Sequence, residues 1–290
     1  MNNSWILAAR PKTLVASVLP VFTGFILALE DTKNASFFVG FLCLLYCLLI
    51  QVATNFANDY FDFKKGADID RNFGPNRMVS DGKISSKAMI TAACVLIAVS
   101  FFLGIYIMEM VNGHRLLLVI GFLSGVFAFA YTGGPYPLAY NALGDLFVIV
   151  FFGFVAVMIT HYVSALSGGV EWQPNWYVPL GVGFVINNLL VVNNYRDFDE
   201  DRKSGKKTLV VIFGKKAGLV LFLVGVLVST LLTPFLAPST WPTIFLLPIG
   251  FYSLICLPKA LNSRDYDKIL SRTALTVVGY TVCLFLGYFI

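Results

Sequence analysis

Two short stretches carry the residues that can do chemistry. In the first, Asn55, Asn58, Asp59 and Asp62 recur at i, i+3, i+4 and i+7, the spacing of one helical face. In the second, Asn193, Asp197 and Asp201 repeat at i, i+4 and i+8. Each stretch closes a long apolar run. Each leads into a Lys-rich loop with a glycine, Lys64-Lys65-Gly66-Ala67-Asp68 in one case and Arg202-Lys203-Ser204-Gly205-Lys206-Lys207 in the other. Hard divalent cations take oxygen ligands, and Mg²⁺ binds through one or two carboxylates together with phosphate oxygens. Two such clusters facing each other can hold two Mg²⁺ bridged by a diphosphate. The neighbouring Lys and Arg would neutralise the remaining charge. That arrangement stabilises a departing pyrophosphate. Ordinary solvated turns would account for the basic residues, but not for amides and carboxylates set inside helix ends, where they must face a cavity or partner helices. Gly66 permits a turn that brings Asp68 back toward the first cluster.

The elements that position these groups are membrane spans. The chain has 290 residues, 58% hydrophobic and only 13% charged, with 27 Phe. A soluble domain carries about a quarter charged residues, so lipid is the expected solvent here. Nine apolar runs approach the length of about 20 residues that crosses a bilayer: 13–30, 36–57, 88–110, 115–131, 142–166, 176–194, 217–236, 241–258 and 272–290. Breaker pairs such as Asn112-Gly113, Gly133-Gly134-Pro135 and Gly168-Gly169 separate them. The expected fold is all-α and polytopic, a single domain over 1–290. With nine spans, all but Lys33 and Arg115 of the 21 Lys and Arg fall on one side, which the positive-inside rule makes cytoplasmic. Both Asp-rich stretches lie on that side. The net charge of +5 then reflects topology and calls for no nucleic-acid partner. The N-terminal apolar run lacks a small-residue cleavage site and is expected to be the first span.

Other residues carry weaker signals. Cys43, Cys47, Cys94, Cys256 and Cys283 all lie in apolar runs without metal or redox spacing, as packing residues do. Arg77, after Gly74-Pro75-Asn76, is a candidate phosphate ligand or a positive-inside anchor; Arg71, Lys83 and Lys87 are anchors. Tyr131 opens a turn, Tyr131-Thr132-Gly133-Gly134-Pro135-Tyr136, whose aromatics can line a site and stabilise a carbocation or sit in an interfacial belt. Asp145 lies near the cytoplasmic end of the fifth span and can face a cavity. His161, near the far end, is expected to pack.

Asn58-Asp59-Tyr60-Phe61-Asp62 and Asp197-Phe198-Asp199-Glu200-Asp201 resemble the two Asp-rich motifs of the UbiA superfamily of intramembrane aromatic prenyltransferases. Further stretches are similar to the branch that prenylates 1,4-dihydroxy-2-naphthoate in menaquinone biosynthesis. They are Ala9-Arg10-Pro11-Lys12-Thr13-Leu14, Lys65-Gly66-Ala67-Asp68, Tyr131-Thr132-Gly133-Gly134-Pro135 and Asn193-Asn194-Tyr195-Arg196-Asp197 through Thr208. The resemblance implies nine helices around a lipid-open cavity capped by cytoplasmic loops. It implies Mg²⁺ held by Asn58, Asp62, Asp68, Asp197 and Asp201, with Asp62, Asp197 and Asp201 as the catalytic carboxylates. Arg77, Lys203 and Lys207 would contact the diphosphate, and Tyr131 and Arg196 would complete the substrate-binding set. The implied partners are a polyprenyl diphosphate, dihydroxynaphthoate and the bilayer of the inner or plasma membrane. Many relatives place an Asp where Gly66 stands; here the acid comes two residues later, at Asp68, as in the naphthoate branch. Three rivals are a transporter, which would place its acids at mid-membrane, an alcohol phosphotransferase, whose Asp-Gly-x-x-Ala-Arg signature is absent, and another branch of the superfamily that prenylates a different acceptor, such as chlorophyll or haem.

Overall fold

The computed structural model describes residues 4–67 and 77–290. The described chain is helical: α1 (Ser4–Ala9), α2 (Pro11–Asp31), α3 (Phe37–Lys64), α4 (Ser86–Met110), α5 (Leu116–Ala130), α6 (Gly144–Ser167), α7 (Tyr177–Arg196), α8 (Phe198–Lys203), α9 (Leu209–Phe213), α10 (Lys215–Leu236), α11 (Pro238–Lys259) and α12 (Ser263–Phe289). Its only β pairing, among the described residues, is an isolated bridge between Asn141 and Lys207. Among the described residues, eight helices are long and apolar enough to cross a membrane. The ninth expected span is α5, whose 15 residues reach about 22 Å at 1.5 Å per residue. It is cut short by the breakers on either side, Asn112 at φ 50° and Gly134 at φ 77°.

The last span departs from expectation. It starts at Ser263, not 272, because the Asn262 side chain caps it by accepting from the backbone N–H of Asp265 at 3.1 Å. The apolar pattern excluded Arg264, Asp265, Asp267 and Lys268, yet all four are helical. Ser36, Ser85 and Thr208 cap α3, α4 and α9 in the same way.

The loops sort by side. At the motif end, Lys65 Nζ donates to the Thr132 carbonyl at 2.6 Å and Lys207 N–H donates to the Tyr140 carbonyl at 3.0 Å. At the other end, Ser36 N–H donates to Ser167 Oγ at 2.9 Å, and His161 stands 2.6 Å from Asp31 and accepts from Trp172 Nε1 at 3.1 Å. His161 is thus buried in a knot that ties the 168–176 loop to the end of α2, in keeping with a packing role.

Helix α7 is the most enclosed span, with Val178, Val182, Val185, Ile186, Val191 and Val192 buried. It crosses α6 closely at Gly153, where a Cβ would collide with the Pro179 carbonyl and Gly183. There α6 widens into a π-helical stretch, Ile149–Val155, a deformation often found beside functional sites. Phe37, Phe102, Phe122 and Phe245 are exposed on the periphery, as lipid-facing residues are.

Candidate active site

The two Asp-rich stretches end in the same backbone device. After α3, Gly66 turns left-handed at φ 69° and Ala67 N–H donates back to the Asp62 carbonyl at 3.0 Å. After α8, Gly205 does so at φ 75° and Lys206 N–H donates to the Asp201 carbonyl at 2.9 Å. Both are helix C-caps in which a glycine reverses the chain over the last turn. Asp62 and Asp201 sit at the same place in each. In the second stretch the break between α7 and α8 does not disturb the spacing. Asp197 N–H still bonds the Asn193 carbonyl at 2.9 Å, and Asp201 N–H the Asp197 carbonyl at 2.8 Å.

Both clusters line one polar chamber of about 480 Å³. Asn58, Asp62, Asn193, Asp197 and Asp201 all reach it, from helices that arrive from different parts of the chain. Each carboxylate meets a cation. Arg77 Nη2 lies 2.9 Å from Asp62 Oδ2, and Tyr140 O–H donates to Asp62 Oδ1 at 2.8 Å. Arg196 grips both oxygens of Asp197, at 2.6 and 2.9 Å. Lys206 Nζ stands 3.2 Å from Asp201 Oδ1.

The first cluster's face divides into two i, i+4 pairs. Asn58 and Asp62 point into the chamber, with Asn58 Oδ1 accepting from Thr132 O–H at 2.7 Å. Asn55 and Asp59 turn to the flank. Asn55 Nδ2 donates to the Ala9 carbonyl at 2.9 Å and to Thr13 Oγ1 at 3.3 Å, holding the α1–α2 corner. Asp59 is 1% exposed and accepts from the N–H groups of Met78 and Val79, at 3.0 and 3.4 Å. It thereby fixes the segment that delivers Arg77 to Asp62. The second cluster divides too, for Asp199 is exposed and pairs outward with Lys215 at 3.6 Å.

Of the residues expected from sequence, Arg77, Tyr131 and Arg196 line the chamber. Lys203 and Lys207 do not; both side chains are exposed, because the Gly205 turn directs Lys206 inward instead. Asp68 lies outside the described residues, as do Arg71 and Gly74-Pro75-Asn76. Several lining residues were not singled out as site residues: Arg10, Tyr140, Glu200, Lys206 and Asp267. Asp267 was assigned to a loop, and only the cap at Asn262 reveals that it is helical. Tyr140 gave no pattern at all. Lys65, beside it, lies 4.0 Å over the Tyr140 ring. Burial holds the Lys65 ammonium below the usual lysine range, against the opposing pull of Asp62.

A second, apolar chamber of about 590 Å³ continues from the first. Thr13, Asn58, Tyr131, Leu190, Asn193, Asp267 and Leu270 line both. Phe101, Phe127, Phe147 and Phe151 furnish its walls, and Cys43 and Cys47 line it as free thiols. Each volume lies in the range of small-molecule sites, roughly 300–1,000 Å³. A polar chamber rich in carboxylates and cations, joined to an apolar one, suits a ligand with a charged head and a hydrocarbon tail. Burial raises the Tyr131 phenol at the junction, so it is a neutral O–H donor at working pH.

The donor set toward a metal is all oxygen. Among the described residues no three His, Cys, Asp or Glu side chains gather into a cage of their own. Such a set fits Mg²⁺, which keeps waters and shares its ligands with substrate phosphates.

A model of the UbiA prenyltransferase family matches residues 17–286. The chain is 37% identical over 224 residues to a 1,4-dihydroxy-2-naphthoate octaprenyltransferase of Haemophilus influenzae, covering 74% of this chain and 71% of the relative. It is 33% identical over 290 residues to the enzyme of that name from Escherichia coli, covering 96% and 91%. Its fold is similar to that of a UbiA homolog from Archaeoglobus fulgidus bound to GPP and Mg²⁺, with a TM-score of 0.65, 17% identity, and 99% and 100% of the two chains covered.

Proposed function

This chain belongs to the UbiA prenyltransferase family, and from that premise we propose that it transfers a polyprenyl group from its diphosphate to 1,4-dihydroxy-2-naphthoate, with loss of CO₂, in menaquinone biosynthesis. One observation carries the reading: two Asp-rich helix ends line a polar chamber that continues into an apolar one. The diphosphate belongs in the first and the isoprenoid in the second. The names of the relatives support the naphthoate as acceptor.

Asn58, Asp62, Asp197 and Asp201 supply oxygen ligands for Mg²⁺, joined in this reading by Asp68. When held by these residues, Mg²⁺ would supply positive charge that makes the diphosphate a better leaving group. Arg77, Arg196 and Lys206, each now resting on a carboxylate, can turn to diphosphate oxygens in charge-assisted hydrogen bonds. Lys203 and Lys207 draw the anionic substrate from exposed positions. The allylic C–O bond breaks and its electron pair leaves with the diphosphate. The π faces of Tyr131 and the neighbouring Phe residues stabilise the allylic cation, and the apolar walls keep water from it. The ring carbon bearing the carboxylate attacks, and CO₂ departs from that carbon. The protein works as a multi-pass enzyme of the inner or plasma membrane, its motif-bearing face cytoplasmic, a reading that the Lys and Arg distribution supports.

The test is mass spectrometry of products from membranes holding the protein, given Mg²⁺, a polyprenyl diphosphate and a panel of aromatic acceptors. A prenylated naphthohydroquinone lacking the carboxylate is the expected product. Prenylation of a different acceptor alone overturns the naphthoate assignment. Proteoliposome flux with no prenyl transfer would favour the transporter.

A further inference from the structure

A buried carboxylate in the polar chamber differs from Asp62, Asp197 and Asp201. Asp145 lines it from the first turn of α6 and is 5% exposed. Asp62, Asp197 and Asp201 each carry a cation, whereas Asp145 has no ion pair among the described residues. Its partner is an amide: Asn187 Nδ2 of α7 donates to Asp145 Oδ1 at 3.1 Å. Asn187 is itself 4% exposed, and its Oδ1 has no hydrogen-bond partner among the described residues. The amide's one hydrogen bond is therefore to Asp145. An Asn buried in the most enclosed span with a single polar contact, to one carboxylate oxygen, fixes that carboxylate's rotamer. A buried carboxylate with no ion pair among the described residues requires hydrogen-bond donors; its own backbone N–H supplies a second beside Asn187, and the remaining lone pairs can accept another.

The location restricts what donates. Asp145 follows Gly144, which packs against the Tyr131 hydroxyl, and Tyr131 lines both chambers. With diphosphate in one chamber and isoprenoid in the other, the reacting allylic carbon lies at this junction. The group beside it must be the acceptor ring. Resting on the prenyl-transfer reading above, we propose that Asp145 receives a ring hydroxyl of the aromatic acceptor and takes its proton as the ring attacks, with Asn187 as the positioning residue that holds the carboxylate in place. The O–H proton moves to Asp145 Oδ2, which sends electron density into the ring. The allylic C–O bond breaks with its electron pair on the diphosphate, and the ring carbon–allylic carbon bond forms. Loss of CO₂ restores the aromatic ring, and the proton returns from Oδ2 to the ring oxygen. The step needs no oxidant, and the product leaves as the hydroquinone.

The test uses the full chain in lipid, with farnesyl diphosphate, dihydroxynaphthoate and Mg²⁺, comparing wild type with Asp145→Asn, Asp145→Glu and Asn187→Leu. Transfer rates are measured across pH, and binding of farnesyl thiolodiphosphate is measured separately. Asp145→Asn is expected to lose about 10²-fold or more in kcat, the usual worth of a general base, and to bind the thiolodiphosphate as wild type does. Its rate should climb toward wild type as pH rises and the hydroxyl ionises unaided. Asp145→Glu should restore part of the rate, and Asn187→Leu should shift the pH profile with little change in thiolodiphosphate binding. An Asp145→Asn enzyme with full kcat and an unchanged pH profile overturns the proposal. So does a loss of thiolodiphosphate binding in step with the rate, which marks a structural role. If wild type itself prenylates no aromatic acceptor, the prenyl-transfer reading fails and takes this inference with it.

Discussion

The two Asp-rich helix ends share a backbone plan but obtain their cations differently. In the second, both cations are local: Arg196 is adjacent to Asp197, and Lys206 comes back over the Gly205 turn to Asp201. In the first, the cation is imported. Arg77 reaches Asp62 only because Asp59, one turn earlier on the same helix, binds the N–H groups of Met78 and Val79. Tyr140, from a third region, holds the other oxygen of Asp62. The second cluster thus draws these two cations from its own few turns, whereas the first takes its cation across a tertiary contact. A lesion away from the first cluster's own ligands can disable it; the second should be less sensitive to changes at a distance.

The largest expected effect treats the two clusters alike. Chelating divalent metal should abolish prenyl transfer, with Mg²⁺ restoring it, and Asp62→Ala and Asp201→Ala should each lower kcat by about 10²–10³-fold. Retention of full activity by both variants would sink the proposal that the clusters act together. The asymmetry appears in the next tier. Asp59→Ala should cost about 1–3 kcal/mol by leaving two buried N–H groups unpaired, and it should reproduce the kinetic defect of Arg77→Ala. A double-mutant cycle between Asp59 and Arg77 should be strongly non-additive; additivity would break the delivery role of Asp59. Smaller again, Lys206→Ala should raise KM for the polyprenyl diphosphate by about 10-fold, the worth of a charged hydrogen bond. Lys203→Ala and Lys207→Ala should each stay within about 2-fold, as exposed charges do. Equal effects at all three lysines would show that charge alone matters there, and not the Gly205 turn. Smallest, Gly205→Ala should cost about 1–2 kcal/mol for a left-handed residue with a Cβ, read as a lowered unfolding temperature.

Much of this was legible because helical spacing and lipid solubility are local properties of the chain. Eight of the nine expected spans appear as long helices, six of them within about three residues of their apolar runs, while α3 runs on to Lys64 and α12 starts early at Ser263; Asn193, Asp197 and Asp201 keep one face even across a helix break. The first cluster was legible only in part. Asn55, Asn58, Asp59 and Asp62 span about 100° of helix circumference at their spacing, wide enough to touch two different surroundings, and periodicity cannot say where the division falls. Asp267 was missed because the start of α12 is set by a cap at Asn262, within a charged stretch that apolar periodicity excludes.

Residue types and spacing alone showed that the chain is apolar enough to cross a membrane repeatedly, and that two Asp-rich stretches, each at the end of a span, carry the residue types expected to suit a hard cation and a diphosphate. Those conclusions follow from transfer free energies and from the 3.6-residue repeat, which act residue by residue. Which oxygens share a chamber was decided by packing between helices far apart in sequence. So was the inward choice of Lys206 over Lys203 and Lys207, and so was the placing of Asp145 against Asn187 with no ion pair among the described residues. Such contacts depend on where α3, α6, α7 and α12 lie relative to one another, and a periodic pattern within one helix carries no record of its neighbours.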